Sequence, residues 1–166
     1  MIQPRKIVIL GHFGVGKTSL IRQFVETSFS EDYLVTVGVH VKKKDVTINN
    51  DSVTLVIWDI EGTSKISETR ASYLLGSSGF IYVYDVSRPE TYKNLEEQVD
   101  YLKNQFPAIP VMIFGNKCDK FGDEISKSFF ENAPYNQSLF TSAKTGENVE
   151  EGFKQLTIKT LEKHES

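Results

Sequence analysis

The sequence predicts an α/β fold in three layers, a mostly parallel sheet with helices on both faces. Two patterns point to it. Strand-like and helix-like runs alternate along the whole chain, which is the signature of strand–helix–strand units. Two of the runs, Phe80–Asp85 and Val111–Asn116, are continuously apolar rather than alternating, as strands covered on both faces are. In chain order, Lys6–Leu10 is a short apolar run ending at Gly11, a buried strand leading into a tight turn. Gly16 to about Glu26 reads as a helix, with Leu20, Ile21, Phe24 and Val25 on one side. Val39–Ile48 and Val53–Asp59 read as two strands joined through Asn49-Asn50-Asp51, which is hairpin chemistry. After Phe80–Asp85 a helix is expected to open at Ser87-Arg88-Pro89-Glu90. There a serine cap, an early proline and a glutamate three residues on match a capping box. Leu95, Val99, Leu102 and Phe106 follow at helical spacing. A last helix, about Asn148–Lys163, sets Val149, Phe153, Leu156 and Thr160 on one stripe. With no repeat, low-complexity stretch or linker, residues 1–166 are expected to form one domain.

Composition narrows the class. A chain of 166 residues can hold a real core. Its 39% hydrophobic and 25% charged residues argue against disorder of the whole. The net charge of −3, from 19 basic and 22 acidic residues, is too mild and mixed for electrostatic nucleic-acid binding. One cysteine, Cys118, excludes an internal disulfide framework and fits a reducing cytosol. No apolar stretch approaches membrane-spanning length, and Met1-Ile2-Gln3-Pro4-Arg5-Lys6 has no signal-peptide core behind it. The tail, Leu161–Ser166, has no cysteine to lipidate. The expectation is a cytoplasmic monomer, reaching membranes only through partners or a further tail. His12, His40 and His164 show no metal-ligand spacing.

The first chemical motif is Gly11-His12-Phe13-Gly14-Val15-Gly16-Lys17-Thr18, which matches G-x-x-x-x-G-K-[ST] between a strand and a helix. Its glycines let the backbone wrap so that successive N–H groups converge on phosphate oxygens. The helix that starts there adds its positive end. Lys17 would reach the outer phosphates and the Thr18 hydroxyl would ligate Mg²⁺. This motif implies a nucleotide without naming it. The base is addressed by Asn116-Lys117-Cys118-Asp119 at a strand end and by Ser142-Ala143-Lys144 before the last helix. A carboxylate such as Asp119 only accepts hydrogen bonds. Guanine offers N1–H and N2–H₂ side by side, whereas adenine offers neither donor on that edge, so Asp119 favours guanine.

With these two motifs the chain resembles the Ras superfamily of small GTPases over essentially its whole length. The resemblance implies a P-loop NTPase αβα sandwich whose mostly parallel six-stranded sheet has one antiparallel edge strand. It implies GTP or GDP and Mg²⁺ as cofactors, and GTP hydrolysis in a molecular switch. Residues Phe13, Gly14, Val15, Gly16, Lys17, Thr18 and Ser19 would then surround the phosphates. Asn116 and Asp119 would hold the base, Lys117 would pack along it, and the Ala143 N–H, flanked by Ser142 and Lys144, would reach the guanine carbonyl. Phe29, twelve residues after Lys17, falls where the family stacks an aromatic on the base. Thr36 takes the place of the first-switch threonine that binds Mg²⁺ and senses the γ-phosphate, and Asp59 that of the Mg²⁺-side carboxylate. Thr18, Thr36 and Asp59 form the implied metal set; Lys17, Thr36, Gly62 and Thr63 form the implied catalytic set. Thr36-Val37-Gly38-Val39, Trp58-Asp59 and Ser72-Tyr73-Leu74-Leu75-Gly76 look more like the Rab branch than Ras or Rho. That branch usually carries an aromatic in place of Val41 and a tyrosine-arginine pair in place of Leu74-Leu75.

Two departures bear on catalysis. Family members that hydrolyse GTP read D-x-A-G-Q-E where this chain reads Asp59-Ile60-Glu61-Gly62-Thr63-Ser64. Thr63 is too short to bridge water and γ-phosphate as glutamine does, and Glu61 stands either as a base or turned outward. Phe13 occupies a position the family fills with a small residue, and is expected to obstruct the lip where a partner's arginine enters. Protein effectors and regulators are expected at the switch segments, with Ile66, Tyr73, Leu74 and Leu75 as contacts. Lys42-Lys43-Lys44 is read as a deterrent to edge pairing. The leading function is a GTP/GDP switch with slow or partner-dependent hydrolysis. One alternative is a GTP-bound binding module with negligible hydrolysis. A remote one is a P-loop kinase, weakened because only Arg22, Arg70 and Arg88 follow the phosphate loop, scattered along the chain.

Overall fold

A computed structural model describes residues 2–25, 33–36, 38–122 and 124–165, with 33–36 and 163–165 taken as backbone only. Among these residues one sheet holds seven strands in the order β2-β3-β4-β1-β5-β6-β7. They are β1 (Arg5–Gly11), β2 (Tyr33–Thr36), β3 (Val39–Ile48), β4 (Asp51–Ile60), β5 (Gly79–Asp85), β6 (Val111–Asn116) and β7 (Leu139–Thr141). The helices are α1 (Lys17–Val25), α2 (Ala71–Leu74), α3 (Leu95–Gln105) and α4 (Val149–Glu165). β1 pairs parallel with β4 and β5, and the parallel ladder continues through β6 to β7. β3 alone runs against the rest, antiparallel to both β2 and β4. The expected three-layer sandwich is therefore present, and the short β2 adds a seventh strand outside β3.

The β3–β4 hairpin turns on two residues, Asn49 at φ 50° and Asn50 at φ 72°. Positive φ at both positions is the type I′ geometry that suits the twist of flanking strands, and asparagine tolerates it. β2 reaches along β3 only from Val39 to Val41. Past that point lie the three lysines. Lys42 is buried, and Lys44 donates to the Phe24 carbonyl while lying 4.2 Å above the Phe24 ring. Two of the three thus turn toward the body, leaving Lys43 exposed.

Each face of the sheet has its own core. On one, Leu20, Phe24, Val149 and Phe153 of α1 and α4 cover Ile7, Ile57 and Val83, and the Phe24 and Phe153 rings stack at 4.1 Å. On the other, Leu95, Val99 and Leu102 of α3 cover Val8, Phe80 and Tyr82, joined by Ile66 and Leu74. The continuous apolar reading of β5 is explained here: Phe80, Ile81, Tyr82, Val83 and Tyr84 are all fully buried, alternating between the two cores.

The helix expected to open at Ser87 begins instead at Leu95, after a separate 3-10 turn at Pro89–Thr91. Asp85 is the reason. Its Oδ1 accepts from both the Ser87 N–H (2.8 Å) and the Ser87 hydroxyl (2.6 Å). Ser87 is thereby held in a turn and cannot cap a helix. Between β6 and β7 the chain forms no α-helix among the described residues. Short 3-10 turns at Lys127–Glu131 and Tyr135–Gln137 bring Phe130 and Tyr135 against Tyr84 and Tyr92, with centroids 5.2–6.2 Å apart. Among the described residues no helix is long and apolar enough to cross a membrane.

The topology also sets the site. Gly11, Asp85, Asn116 and Thr141 end parallel strands at one edge of the sheet, and Asp59 is the last residue but one of β4 at the same edge. Ligands of open α/β sheets bind at that edge.

Candidate functional site

The phosphate loop leaves β1 at Gly11 and enters α1 at Lys17. Gly14 and Gly16 take φ of 79° and 104°, a region that side chains rarely adopt. Gly16 has a second reason to be glycine, since a Cβ there would lie 2.4 Å from Asn116 Nδ2. Asn116 uses that same Nδ2 to donate to the Val15 carbonyl at 2.9 Å. The second motif therefore holds the first. Lys17 is buried, and its Nζ donates to the carbonyls of His12 (3.2 Å) and Gly11 (3.4 Å). Burial pushes its pKa below the ordinary value, opposed by the carboxylates of Asp59 and Glu61. Among the described residues no carboxylate pairs with it directly. A buried cation held only by carbonyls is suited to an anion from outside.

The loop borders a cleft of about 430 Å³ lined by Gly14, Gly16, Lys17, Thr18, Ser19, Asp59 and Gly62, with His40 of β3 alongside. The Thr18 hydroxyl donates to Asp59 Oδ2 at 2.5 Å. These two oxygens, from the start of α1 and the end of β4, are of the kind that would suit a hard cation such as Mg²⁺. Among the described residues no group of three or more His, Cys, Asp or Glu gathers as a metal cage. Thr36 is placed by its backbone, in β2. Phe29 lies outside the described residues.

The second-switch segment sits against the loop. A Cβ on Gly62 would come 2.4 Å from the Phe13 backbone, and the Thr63 N–H donates to the Gly11 carbonyl at 3.0 Å. The Thr63 hydroxyl donates to the Lys65 carbonyl (3.1 Å) and accepts from the Lys65 N–H (3.3 Å), so its own turn uses it. Glu61 is exposed, its carboxylate beside Gly38. Phe13, expected to obstruct the lip, borders the cleft with its side chain 78% exposed and so does not close it in this conformation.

A second cleft, about 410 Å³, is lined by Asn116, Lys117, Asp119, Lys120, Ala143 and Lys144, and shares Gly16 and Ser19 with the first. One ligand can therefore span both. Lys117 is left-handed at φ 69°, and its Nζ lies 2.8 Å from Asp85 Oδ2 and 3.5 Å from the Gly14 carbonyl. Burial works against ionised Asp85, but Lys117 and the two Ser87 hydrogen bonds prevail and hold its carboxyl below the ordinary range. Asn116 Oδ1 accepts from Thr141 Oγ1 (3.1 Å) and from the Ala143 N–H (3.3 Å). Ser142, expected among the ligand contacts, is fully buried and instead donates to Asp119 Oδ1 at 2.7 Å. It orients the carboxylate from behind. Cys118 lies beneath, where burial first and Glu147 second push its thiol up to about 12, so it stays neutral.

Sequence reasoning missed four supporting residues. Asp85 anchors Lys117, and Thr141 steadies Asn116. Asn94 Oδ1 accepts from His12 Nε2 (3.2 Å) and its Nδ2 donates to the Ser64 carbonyl (2.8 Å), linking loop and switch. Arg88 donates to the Phe13 carbonyl at 3.1 Å. Only Asp85, a carboxylate ending an otherwise apolar strand, carries a visible signal.

The profile of the Ras family matches residues 6–162. The chain belongs to that family. The Ras-related protein Rab-4A of Danio rerio is 36% identical over 167 residues, which cover 97% of this chain and 78% of that protein. Rab-4A of Homo sapiens is 36% identical, with 97% and 76% covered. Rab-4B of Rattus norvegicus is 35% identical, with 97% and 78% covered. This is a Rab-like member of the Ras superfamily, a GTP-binding molecular switch that uses GTP or GDP with Mg²⁺ and hydrolyses GTP. The kinase alternative falls.

Ile66 and Leu74, expected as partner contacts, are buried in the core on the face of the sheet that α3 covers. Leu75 is exposed, and Tyr73 packs beside Trp58 with centroids 6.3 Å apart.

Proposed function

We propose that residues 1–166 act as one guanine-nucleotide-binding domain in which Lys17 and Asp119 mark the two ends of the ligand. The observation that carries this reading is the continuity of the two clefts through Gly16 and Ser19, with the buried ammonium at one end and the Ser142-oriented carboxylate at the other. Lys17 and the loop N–H groups would take the phosphates. Asn116, Lys117 and Asp119 would take the base, and Ala143 and Lys144 would close over it. Thr18, Asp59 and Thr36 would hold Mg²⁺, which when bound neutralises phosphate charge. A competition titration tests the reading: GDP and GTP should displace a fluorescent guanine nucleotide far better than ATP, and comparable ATP affinity would refute it.

The Thr18–Asp59 pair makes a second expectation. Without the metal, Asp59 faces the phosphates unneutralised, so chelation by EDTA should speed GDP release by roughly tenfold or more. An unchanged release rate would show that these oxygens hold no cation.

Hydrolysis in this reading is slow or partner-dependent, because the Thr63 hydroxyl is tied to Lys65 rather than free to orient water. A GTP-bound binding module differs from this only in rate. Effectors and regulators would grip the switch segments through Tyr73 and Leu75. We further propose a monomer that stays in the cytoplasm or reaches membranes through partners or a tail beyond these residues, since Cys118, the one cysteine, is buried beneath the site.

A further inference from the structure

Five successive carbonyls of the phosphate loop each accept a side-chain hydrogen bond, and one of the donors belongs to no nucleotide motif. Lys17 Nζ serves Gly11 and His12. Arg88 Nη1 serves Phe13 at 3.1 Å, Lys117 Nζ serves Gly14 at 3.5 Å, and Asn116 Nδ2 serves Val15 at 2.9 Å. In a planar trans peptide the carbonyl and N–H point opposite ways. Fixing the carbonyls of Phe13, Gly14 and Val15 therefore fixes the N–H groups of Gly14, Val15 and Gly16 in the opposite direction. Gly14 and Gly16 line the phosphate cleft.

We infer that Arg88 is a positioning residue of the nucleotide site: by holding the Phe13 carbonyl it sets the Gly14 N–H toward the phosphates, and so governs how long a di- or triphosphate stays bound. The inference rests on the guanine-nucleotide reading above. Arg88 does not line the cleft, so it acts through the loop and not by touching the ligand. Its placement is specific. Its backbone N–H donates to the Asp85 carbonyl at 3.0 Å, at the same strand end that anchors Lys117, and its Nε donates to Glu90 at 3.0 Å. The room it needs depends on Gly14, where a Cβ would lie 2.9 Å from Nη1. Asp85 and Arg88 thus steady two neighbouring loop carbonyls from one turn, Asp85 through Lys117 and Arg88 directly.

The test compares Arg88→Met, which removes the donor, with Arg88→Gln, which keeps an N–H donor without the charge. Release of a fluorescent GDP and the affinities for GDP and GMP are measured for each. Arg88→Met should release GDP roughly tenfold faster, as the loss of one charge-assisted hydrogen bond predicts. Its preference for GDP over GMP should fall by a similar factor, because GMP lacks the outer phosphate the loop grips. Arg88→Gln should restore much of the slow release. Unchanged GDP release in Arg88→Met overturns the inference. So does an equal loss for GMP and GDP, which is fold damage, or an Arg88→Gln as fast as Arg88→Met, which makes the charge decisive. A wild-type protein that fails to bind GDP overturns the guanine reading instead.

Discussion

Asp119→Asn is expected to exchange guanine for xanthine nucleotides as the preferred ligand. The carboxylate of Asp119 can only accept, and guanine presents two adjacent donors to it. Xanthine keeps N1–H but replaces the amino group with a carbonyl, so the wild-type carboxylate would face an acceptor. Each hydrogen bond to a charged partner contributes about 1.5–3 kcal/mol. Losing one and gaining a repulsion places the discrimination at roughly 10²–10⁴-fold. The asparagine amide can donate to the xanthine carbonyl and still accept from N1–H. Ser142 makes the orientation of that amide predictable, because its hydroxyl donates to Asp119 Oδ1 at 2.7 Å and would keep the amide oxygen on its side. GDP and XDP titrations of wild type and variant are the check. A variant that still prefers GDP would show that Asp119 does not read the base, and an inversion lost in the further variant Ser142→Ala would assign the orientation to that hydroxyl.

The two loops of the candidate site, which the structure brings to adjoining clefts, were legible because their patterns are local. Gly11 to Thr18 and Asn116 to Asp119 are contiguous strings whose residue types follow from phosphate wrapping and donor–acceptor matching. The Asn49-Asn50 turn was legible for the same reason: two positive φ values in succession demand such residues. Elsewhere long-range contacts decided the structure. Ser87 satisfies a capping box on paper, yet Asp85, two residues earlier, takes both its N–H and its hydroxyl. β2 is four residues long and exists as a strand through its pairing with β3, which no periodicity announces. Ile66 and Leu74 read as partner contacts because their segment looks like a mobile switch, but both are buried in the core on the face that α3 covers. Arg88 meets Phe13 from 75 residues away, so nothing in its own neighbourhood marks it as part of the site.

Thr63→Gln is expected to accelerate GTP hydrolysis. Phosphoryl transfer in such sites is positioning plus charge stabilisation. Lys17, the loop N–H groups and Mg²⁺ would supply the charge term, which leaves the placement of water as the weak part. Thr63 is close to where the reaction would occur, since its N–H bonds the Gly11 carbonyl at 3.0 Å and its neighbour Gly62 abuts the Phe13 backbone. Its hydroxyl, however, is committed in both directions to Lys65. It can neither donate to a phosphate oxygen nor accept from water without breaking that turn. A glutamine carries its amide two atoms further from the backbone, beyond the turn, and offers a donor and an acceptor at once. Misplacing a reactant by about 1 Å can cost a hundredfold, so single-turnover phosphate release should rise by roughly ten- to a hundredfold in Thr63→Gln. Glu61→Ala is the companion variant. Glu61 is exposed beside Gly38, and its charge acts on Lys17 from a distance, so its removal should change the rate by no more than a few-fold. If wild type hydrolyses as fast as Thr63→Gln, water is already well placed and the slow-switch reading fails. If Glu61→Ala alone abolishes turnover, the base is that carboxylate, which would have to swing from Gly38 into the cleft.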